Sequence, residues 1–430
     1  HTLKTLLKSM VSSSVSEFLS KYFLCNYFLL MTVDVLLVWC GLAAIAKFEL
    51  IILLSAIIIS LNKLRNQTTR MDLFIIFFSI SIAIASLSNI YPQAFWFEGV
   101  RYQLFSIIFF FVGESSTSKD WDFFDKSIIP VLVVCFIGLI LYITSPSWYV
   151  DFKLSGFTDN EGGRFLEMTR LSAFWTYPYW VSYGSGIIYF YLLFKSYKKG
   201  RITTKIAFAL IFLAVIMVLA QQRAPIAFVA LITLTLLVNS LFNGQKRSFS
   251  TYVLFLLLIL VCCISIVFSF LDQERLIFML SKFESLIEGG NASFLKERTN
   301  IFSDFYSKKI TFWGDGIGRY GHEAYYSGKM AITDQQYLKI MYETGYFGII
   351  CYSIFILLVV IRGIRNFKDN LFELGIIFFY LMAMTGANCL SVTGQHCIVF
   401  WFCCGRIFNK SCLTYKCTSC YSCLLYTSDA

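Results

Sequence analysis

The amino-acid sequence predicts an all-α polytopic membrane protein, with about twelve transmembrane helices and one large external loop carrying short amphipathic helices. Three observations carry this reading. Of 430 residues, 57% are hydrophobic, only 14% are charged and 45 are phenylalanine. No soluble domain of this size can hide so much apolar surface in its core. Apolar runs of roughly spanning length recur along the chain. A single long polar stretch, from Asp272 to Gln335, interrupts them.

Taken in order, the spans are expected near 22–46, 49–61, 71–88, 101–114, 127–146, 175–194, 204–221, 225–242, 250–271, 337–361, 371–388 and 392–408. Each needs about 20 apolar residues to cross the hydrocarbon. Only five prolines occur, which suits long uninterrupted helices. Residues His1–Lys21 are polar and show no cleavable signal pattern, so the first apolar run is expected to direct insertion. The whole chain, 1–430, reads as one membrane domain with external loops at 147–175 and 272–335. Within the longer loop, DQERLIFMLSKFESLIE and ASFLKERTNIFSDFYSKK have the patterning of amphipathic helices on a membrane surface.

Orientation follows from the basic residues. With the N-terminus inside, 21 of the 36 Lys and Arg fall on the cytoplasmic side, among them Lys63, Arg70, Lys198, Arg362 and Arg406. Of the 15 on the other face, nine lie in or beside the long loop, from Arg275 to Lys339. Long loops translocate largely regardless of charge, so the comparison that counts is 21 against six, which puts both termini in the cytoplasm. The net charge of +10 then reflects orientation, and no nucleic-acid partner need be invoked.

Fourteen cysteines do not form a disulfide framework. Eight, from Cys25 to Cys397, lie in or near apolar spans, where cysteine behaves as a small hydrophobe. Six crowd the C-terminus, and Cys417 with Cys420 makes a CxxC that could hold zinc. The segment 409–430 nevertheless changes composition abruptly, reads as non-native or disordered, and is given no function. No P-loop, HExxH, GxSxG or paired-cysteine motif appears in the loops, which speaks against ATP hydrolysis and metalloprotease chemistry. Gly314, Gly316, Gly318 and Gly321 have no preceding strand and read as a tight turn returning the chain to the bilayer.

Arg223 stands at the head of an apolar run, in VLAQQRAPIAF, and faces the long loop; charge beside lipid is expensive and usually kept for function. The order R-L-S-A-F-W-T-Y-P, Q-Q-R-A-P, K-E-R-T-N, G-D-G-I-G and D-Q-Q-Y-L-K-I-M-Y-E-T-G-Y-F-G, from about Arg170 to Gly348, is similar to the O-antigen polymerase and ligase superfamily. That resemblance implies metal-independent glycosyl transfer, without a cofactor, at the outer face of the bacterial inner membrane. The donor is a polyprenyl-diphosphate-linked oligosaccharide, and the lipid diphosphate is the leaving group. Membrane lipid and a chain-length regulator are the other partners it implies.

Arginine suits such a leaving group, because its planar fork binds phosphate oxygens bidentately and never loses its proton. Arg223 and Arg298 are the first candidates, then Arg170, with Arg164, Arg319 and His322 as substrate contacts. Each has a plainer reading: Arg223 at a helix end or snorkelling, Arg298 and Arg170 as solvated surface charge, His322 as a structural residue in a tyrosine-rich turn. Asp334 stands where the ligases carry histidine, as a base for the incoming hydroxyl or an N-cap, and an aspartate there looks more like a polymerase. The polymerase is therefore the expected activity. A ligase transferring glycan to lipid A core is the alternative, and a lipid-linked oligosaccharide flippase is disfavoured by the dominant external loop.

The charge bias generates a direct prediction. A reporter that works only outside the cytoplasm should be active when fused within Asp272–Gln335, whereas a fusion at Lys198 should report cytoplasmic. A cytoplasmic signal from the long loop would overturn the orientation.

Overall fold

The computed structural model describes residues 56–58, 60–61, 70–88, 93–116, 120–155, 170–173, 178–242, 247–269, 277, 310–320, 335–390 and 394–409. Among these residues there is no strand. Eleven helices are present: α1 (Arg70–Ser88), α2 (Gln93–Ser115), α3 (Asp120–Thr144), α4 (Ser147–Ser155), α5 (Pro178–Lys199), α6 (Thr204–Ala220), α7 (Arg223–Phe242), α8 (Arg247–Ser269), α9 (Gln336–Arg365), α10 (Phe367–Ala383) and α11 (Gly394–Ile407). Ten of the expected spans, from 71–88 to 392–408, coincide with a helix to within about five residues, except that α2 and α3 begin earlier. The span expected at 22–46 lies outside the described residues, as does most of 49–61 and all but Asn409 of the C-terminal segment.

Two helices, α7 and α9, are long and apolar enough to cross a membrane, and shorter apolar segments occur in α1, α2, α3, α6, α8 and α11. Their outward faces are apolar too. Along α3 the exposed stripe is Ile129, Val133, Phe136, Ile137 and Ile140, and along α9 it is Tyr346, Ile350, Ile354, Leu357, Ile361 and Ile364. Such continuous apolar stripes at helical spacing suit hydrocarbon and are rare on the surface of a soluble monomer. The protein is thus all-helical in its described part and of membrane character.

The helices group into two compact units, one holding residues 47–127 and 310–430, the other 128–309, with short N-terminal pieces divided between them. In the first unit, α1 runs antiparallel to α9, since Phe78 packs on Tyr352 with ring centroids 5.5 Å apart and Ser81 lies beside Gly348. Helix α2 runs alongside α9 in the same direction: Gln103 meets Glu343 near their starts and Phe110 packs edge-on to Phe355 further along. Helix α10 returns antiparallel, its last turn bonded to Gln336, whose N–H donates to the Met384 carbonyl at 3.1 Å.

The carboxyl ends of α2, α9 and α11 and the start of α10 meet at a basic end. There Arg406 Nε donates to Glu373 Oε1 at 2.9 Å and Nη1 to Ser116 Oγ at 3.0 Å, and Arg362 Nε donates to the Ile407 carbonyl at 3.3 Å. Arg406 and Glu373 are nearly fully buried, so each would be costly without the other. Asp72, Glu114, Lys339, Glu343 and Glu373 are also buried in these helices. Asp72, Glu114 and Lys339 lie within one turn of a helix end.

In the second unit, α5 and α7 run in the same direction. Gly186 of α5 faces Pro225, Tyr189 bonds Thr233 at 3.3 Å, and Asn239 Nδ2 donates to Tyr197 OH at 2.7 Å. Helix α6 runs the other way, with Met217 beside Gly186, and α8 starts where α5 ends, with Phe249 against Tyr197. One end of this unit therefore collects Lys195, Lys198, Lys199 and Arg201, with Lys198 over the Phe194 ring at 4.6 Å.

Helices α2 and α11 approach so closely that a Cβ at Gly113 would overlap the Phe402 carbonyl, and one at Gly405 the Phe110 carbonyl. Without a hydrophobic force between helices in lipid, such close backbone contact is a main source of helix association. Gly405→Ala should therefore cost about 2 kcal/mol, in the range of overpacking. A fall in apparent Tm in detergent checks it, and an unchanged Tm would show that the interface yields.

Candidate functional site

The corner between α6 and α7 gathers two arginines in the second unit. Helix α6 ends because Gln221 turns left-handed at φ 55°, its N–H donating to the Val218 carbonyl. Pro225 then fits the first turn of α7, where no N–H is needed, and Arg223 opens the helix. Segment 170–173 is drawn to the same corner: the Leu171 N–H donates to the Leu219 carbonyl at 3.0 Å. Ala173 is held by Tyr149, whose hydroxyl donates to its carbonyl at 2.8 Å, and lies where a Cβ at Gly138 would collide.

Arg170 and Arg223 thus share the end of this unit opposite its lysines, Arg170 half-buried and Arg223 exposed. A cation gains nothing from the macrodipole at a helix N-terminus, which favours anions. Helix stability therefore does not account for arginine there. Two arginines at the end of the unit where α7 begins give that end a positive character, which suits an anion, phosphate above all.

A different arrangement organises the first unit. Gly345, at φ 70° and ψ −169°, breaks α9 into a short arm and an arm of about 20 residues. Beyond the break, about 20 residues rise roughly 30 Å, the thickness of a hydrocarbon core. The break exposes carbonyls that would otherwise be used within the helix, and residues 312–316 take them. The Asp315 N–H donates to the Tyr342 carbonyl at 2.8 Å and the Gly316 N–H to that of Glu343 at 3.3 Å. The Phe347 N–H, lost to the helix, donates instead to the Phe312 carbonyl at 3.1 Å.

The Glu343 side chain completes the clamp. Its Oε1 accepts from the N–H groups of Gly318 at 3.0 Å and Tyr320 at 3.1 Å, while its Oε2 accepts from Gln103 Nε2 of α2. Lys339, one turn earlier, places Nζ 4.0 Å from Oε1, and both side chains are fully buried. Gly99 of α2 leaves room for Ile317, whose Cγ2 would lie 2.6 Å from a Cβ there. Tyr320 packs its ring on Tyr342 and donates its hydroxyl to Asp315 Oδ2 at 2.5 Å. Burial first, and then this hydrogen bond and the Asp315 charge, raise the Tyr320 phenol above its ordinary value, so it remains a donor.

Arg319 sits half-buried in the middle of this turn. Of the glycines read from sequence as a tight turn, Gly314, Gly316 and Gly318 turn the chain with positive φ, and Gly321 lies outside the described residues. Arg164, Arg298, His322 and Asp334 lie outside the described residues. Sequence reasoning missed Glu343, Lys339 and Gln103. The spacing of Lys339 and Glu343, one turn apart, was a usable signal. Gln103, 240 residues from its partner, left none. Among the described residues no group of His, Cys, Asp and Glu is placed to hold a metal ion. Comparison with protein-family models, curated proteins and solved structures gave no match.

Gly345 should resist substitution more than a glycine strained in conformation alone. A Cβ at Gly345 would overlap the Gly314 nitrogen and the Phe312 carbonyl, whereas Gly200, at φ +69°, has nothing within 4 Å. Gly200→Ala should cost about 1 kcal/mol of backbone strain, and Gly345→Ala should add an overpacking loss of ~1–3 kcal/mol. Thermal unfolding of the two variants in detergent compares them, and equal losses would show that the turn is not clamped.

Proposed function

We propose that this chain is a multi-pass polysaccharide polymerase of the bacterial inner membrane. It joins polyprenyl-diphosphate-linked oligosaccharide repeat units into surface polysaccharide at the outer face. The observation that carries this reading is the gathering of Arg170 and Arg223 at the α6–α7 corner, away from the lysine end of their unit. The ordered motifs from Arg170 to Gly348, which resemble the O-antigen polymerases and ligases, give it a substrate class. About twelve spans, with both termini inside, complete the topology.

In the proposed reaction an acceptor hydroxyl oxygen forms a bond to the anomeric carbon of the donor sugar. The bond from that carbon to the diphosphate oxygen breaks, and the electron pair leaves with the polyprenyl diphosphate. The hydroxyl proton passes to a base, for which Asp334 is the candidate. Arg223 and Arg170, with Arg298 from the long loop, stabilise the charge that grows on the leaving oxygen. Such groups act most strongly where water is excluded.

Arg223→Ala should abolish polymer formation at normal membrane abundance, a loss of about 3 kcal/mol of transition-state stabilisation and of order a hundredfold in rate. Arg223→Lys should restore only a small part, since an ammonium keeps the charge but loses the two-donor fork. Glycan from cells carrying each variant gives the readout. Single repeat units on the final acceptor mark a polymerase defect. Long glycan stranded on the carrier lipid marks a ligase, and full activity of Arg223→Ala would remove Arg223 from the site.

A further inference from the structure

The first unit spends an unusual set of groups on one turn. A fully buried carboxylate, a fully buried ammonium and a buried amide converge there. Taking an ion pair out of water brings little net stability, so its retention points to a geometric task. That task is visible in what Glu343 holds. Its Oε1 accepts from the N–H groups of Gly318 and Tyr320, the two residues that flank Arg319. Its Oε2 is fixed by Gln103 from another helix, so the carboxylate cannot rotate without breaking bonds at both oxygens. Ile317 is seated against Gly99, and the Tyr320 hydroxyl is bonded to Asp315, closing the turn on each side of the arginine.

We propose that Glu343 is a positioning residue: its carboxylate, oriented by Gln103, holds the backbone on both sides of Arg319 and so sets that guanidinium for the diphosphate of a lipid-linked ligand. The proposal rests on the polymerase reading for its ligand and adds to it a residue that never touches the ligand. Glu343 acts through hydrogen-bond acceptance at two amides. Its negative charge faces the Lys339 ammonium 4.0 Å away, does not itself hold the turn and has no part in proton transfer. Glutamine, which keeps an acceptor oxygen in place, should therefore substitute for it far better than alanine, because the Gln103 amide can turn over to accept from the new side-chain N–H.

The test is binding of polyprenyl diphosphate to the purified full chain in lipid nanodiscs, with Glu343 and Arg319 varied alone and together. Glu343→Ala and Arg319→Ala should each weaken binding at least tenfold. The double variant should bind no more weakly than Arg319→Ala alone, because a residue acting only through Arg319 has nothing left to position. Glu343→Gln should stay within about threefold of wild type on the same reasoning. Losses that multiply in the double variant would overturn the positioning role while leaving the polymerase reading intact, as would a tenfold loss in Glu343→Gln at normal abundance. Wild-type protein that fails to bind polyprenyl diphosphate would overturn both. If Glu343→Ala does not fold, Gln103→Leu frees one carboxylate oxygen and serves in its place. It should weaken binding severalfold in the wild-type background and not at all beside Arg319→Ala.

Discussion

One carboxylate ties together three parts of the first unit that are far apart in sequence. Glu343 belongs to the short arm of α9, its partners Gly318 and Tyr320 to the turn before that helix, and Gln103 to α2. Without an acceptor at that point, the buried N–H groups of Gly318 and Tyr320 would lose the carboxylate they now use, and so would the Lys339 ammonium. Each unmatched donor costs far more than the bond it would have made contributes. The break at Gly345 is part of the same constraint, because it turns helix carbonyls outward for the turn to use. A straight helix would offer no such edge, and residues 312–316 would lose the acceptors they now use.

Such a clamp needs a frame that does not yield, and the opposite end of the unit supplies it. Backbone contact at Gly113 and Gly405 sets the spacing of α2 and α11. Arg406, bonded to Glu373 and Ser116, joins α11 to α10 and to the end of α2. Between the two ends lies an aromatic seam in which Phe110, Phe355 and Trp401 pack at centroid distances near 5.6 Å. Polar groups thus sit at both ends with aromatic packing between, an arrangement suited to a bundle crossing a slab of hydrocarbon.

The second unit reaches a similar division by simpler means. Its lysines lie toward the carboxyl end of α5, where cations suit the helix dipole, and the ammonium groups of Lys195 and Lys198 sit over the Tyr191 and Phe194 rings. Arg170 and Arg223 stand at the other end, and Arg223 opens α7, where the dipole disfavours a cation. That contrast gives Arg223 its weight. A second arginine, Arg170, is brought to the same corner by the bond from Leu171 to Leu219.

Much of the helical frame was legible in the sequence. Ten helices could be read because an apolar helix carries its apolar residues as a run of consecutive positions, which the sequence shows directly. The turn at 314–318 was legible for the same kind of reason, since positive φ leaves its mark as glycine. Arg223 was visible as a charge beside lipid. The pairing of Glu343 with Gln103, the seat of Ile317 on Gly99, and the approach of Arg170 to the head of α7 were not legible. These depend on which helices pack together and in which direction, and each joins residues that no local pattern connects. Local chemistry, repeated along the chain, determined the spans and the turn. Only the packing of one helix against another decided which buried charges meet and which arginine they hold in place.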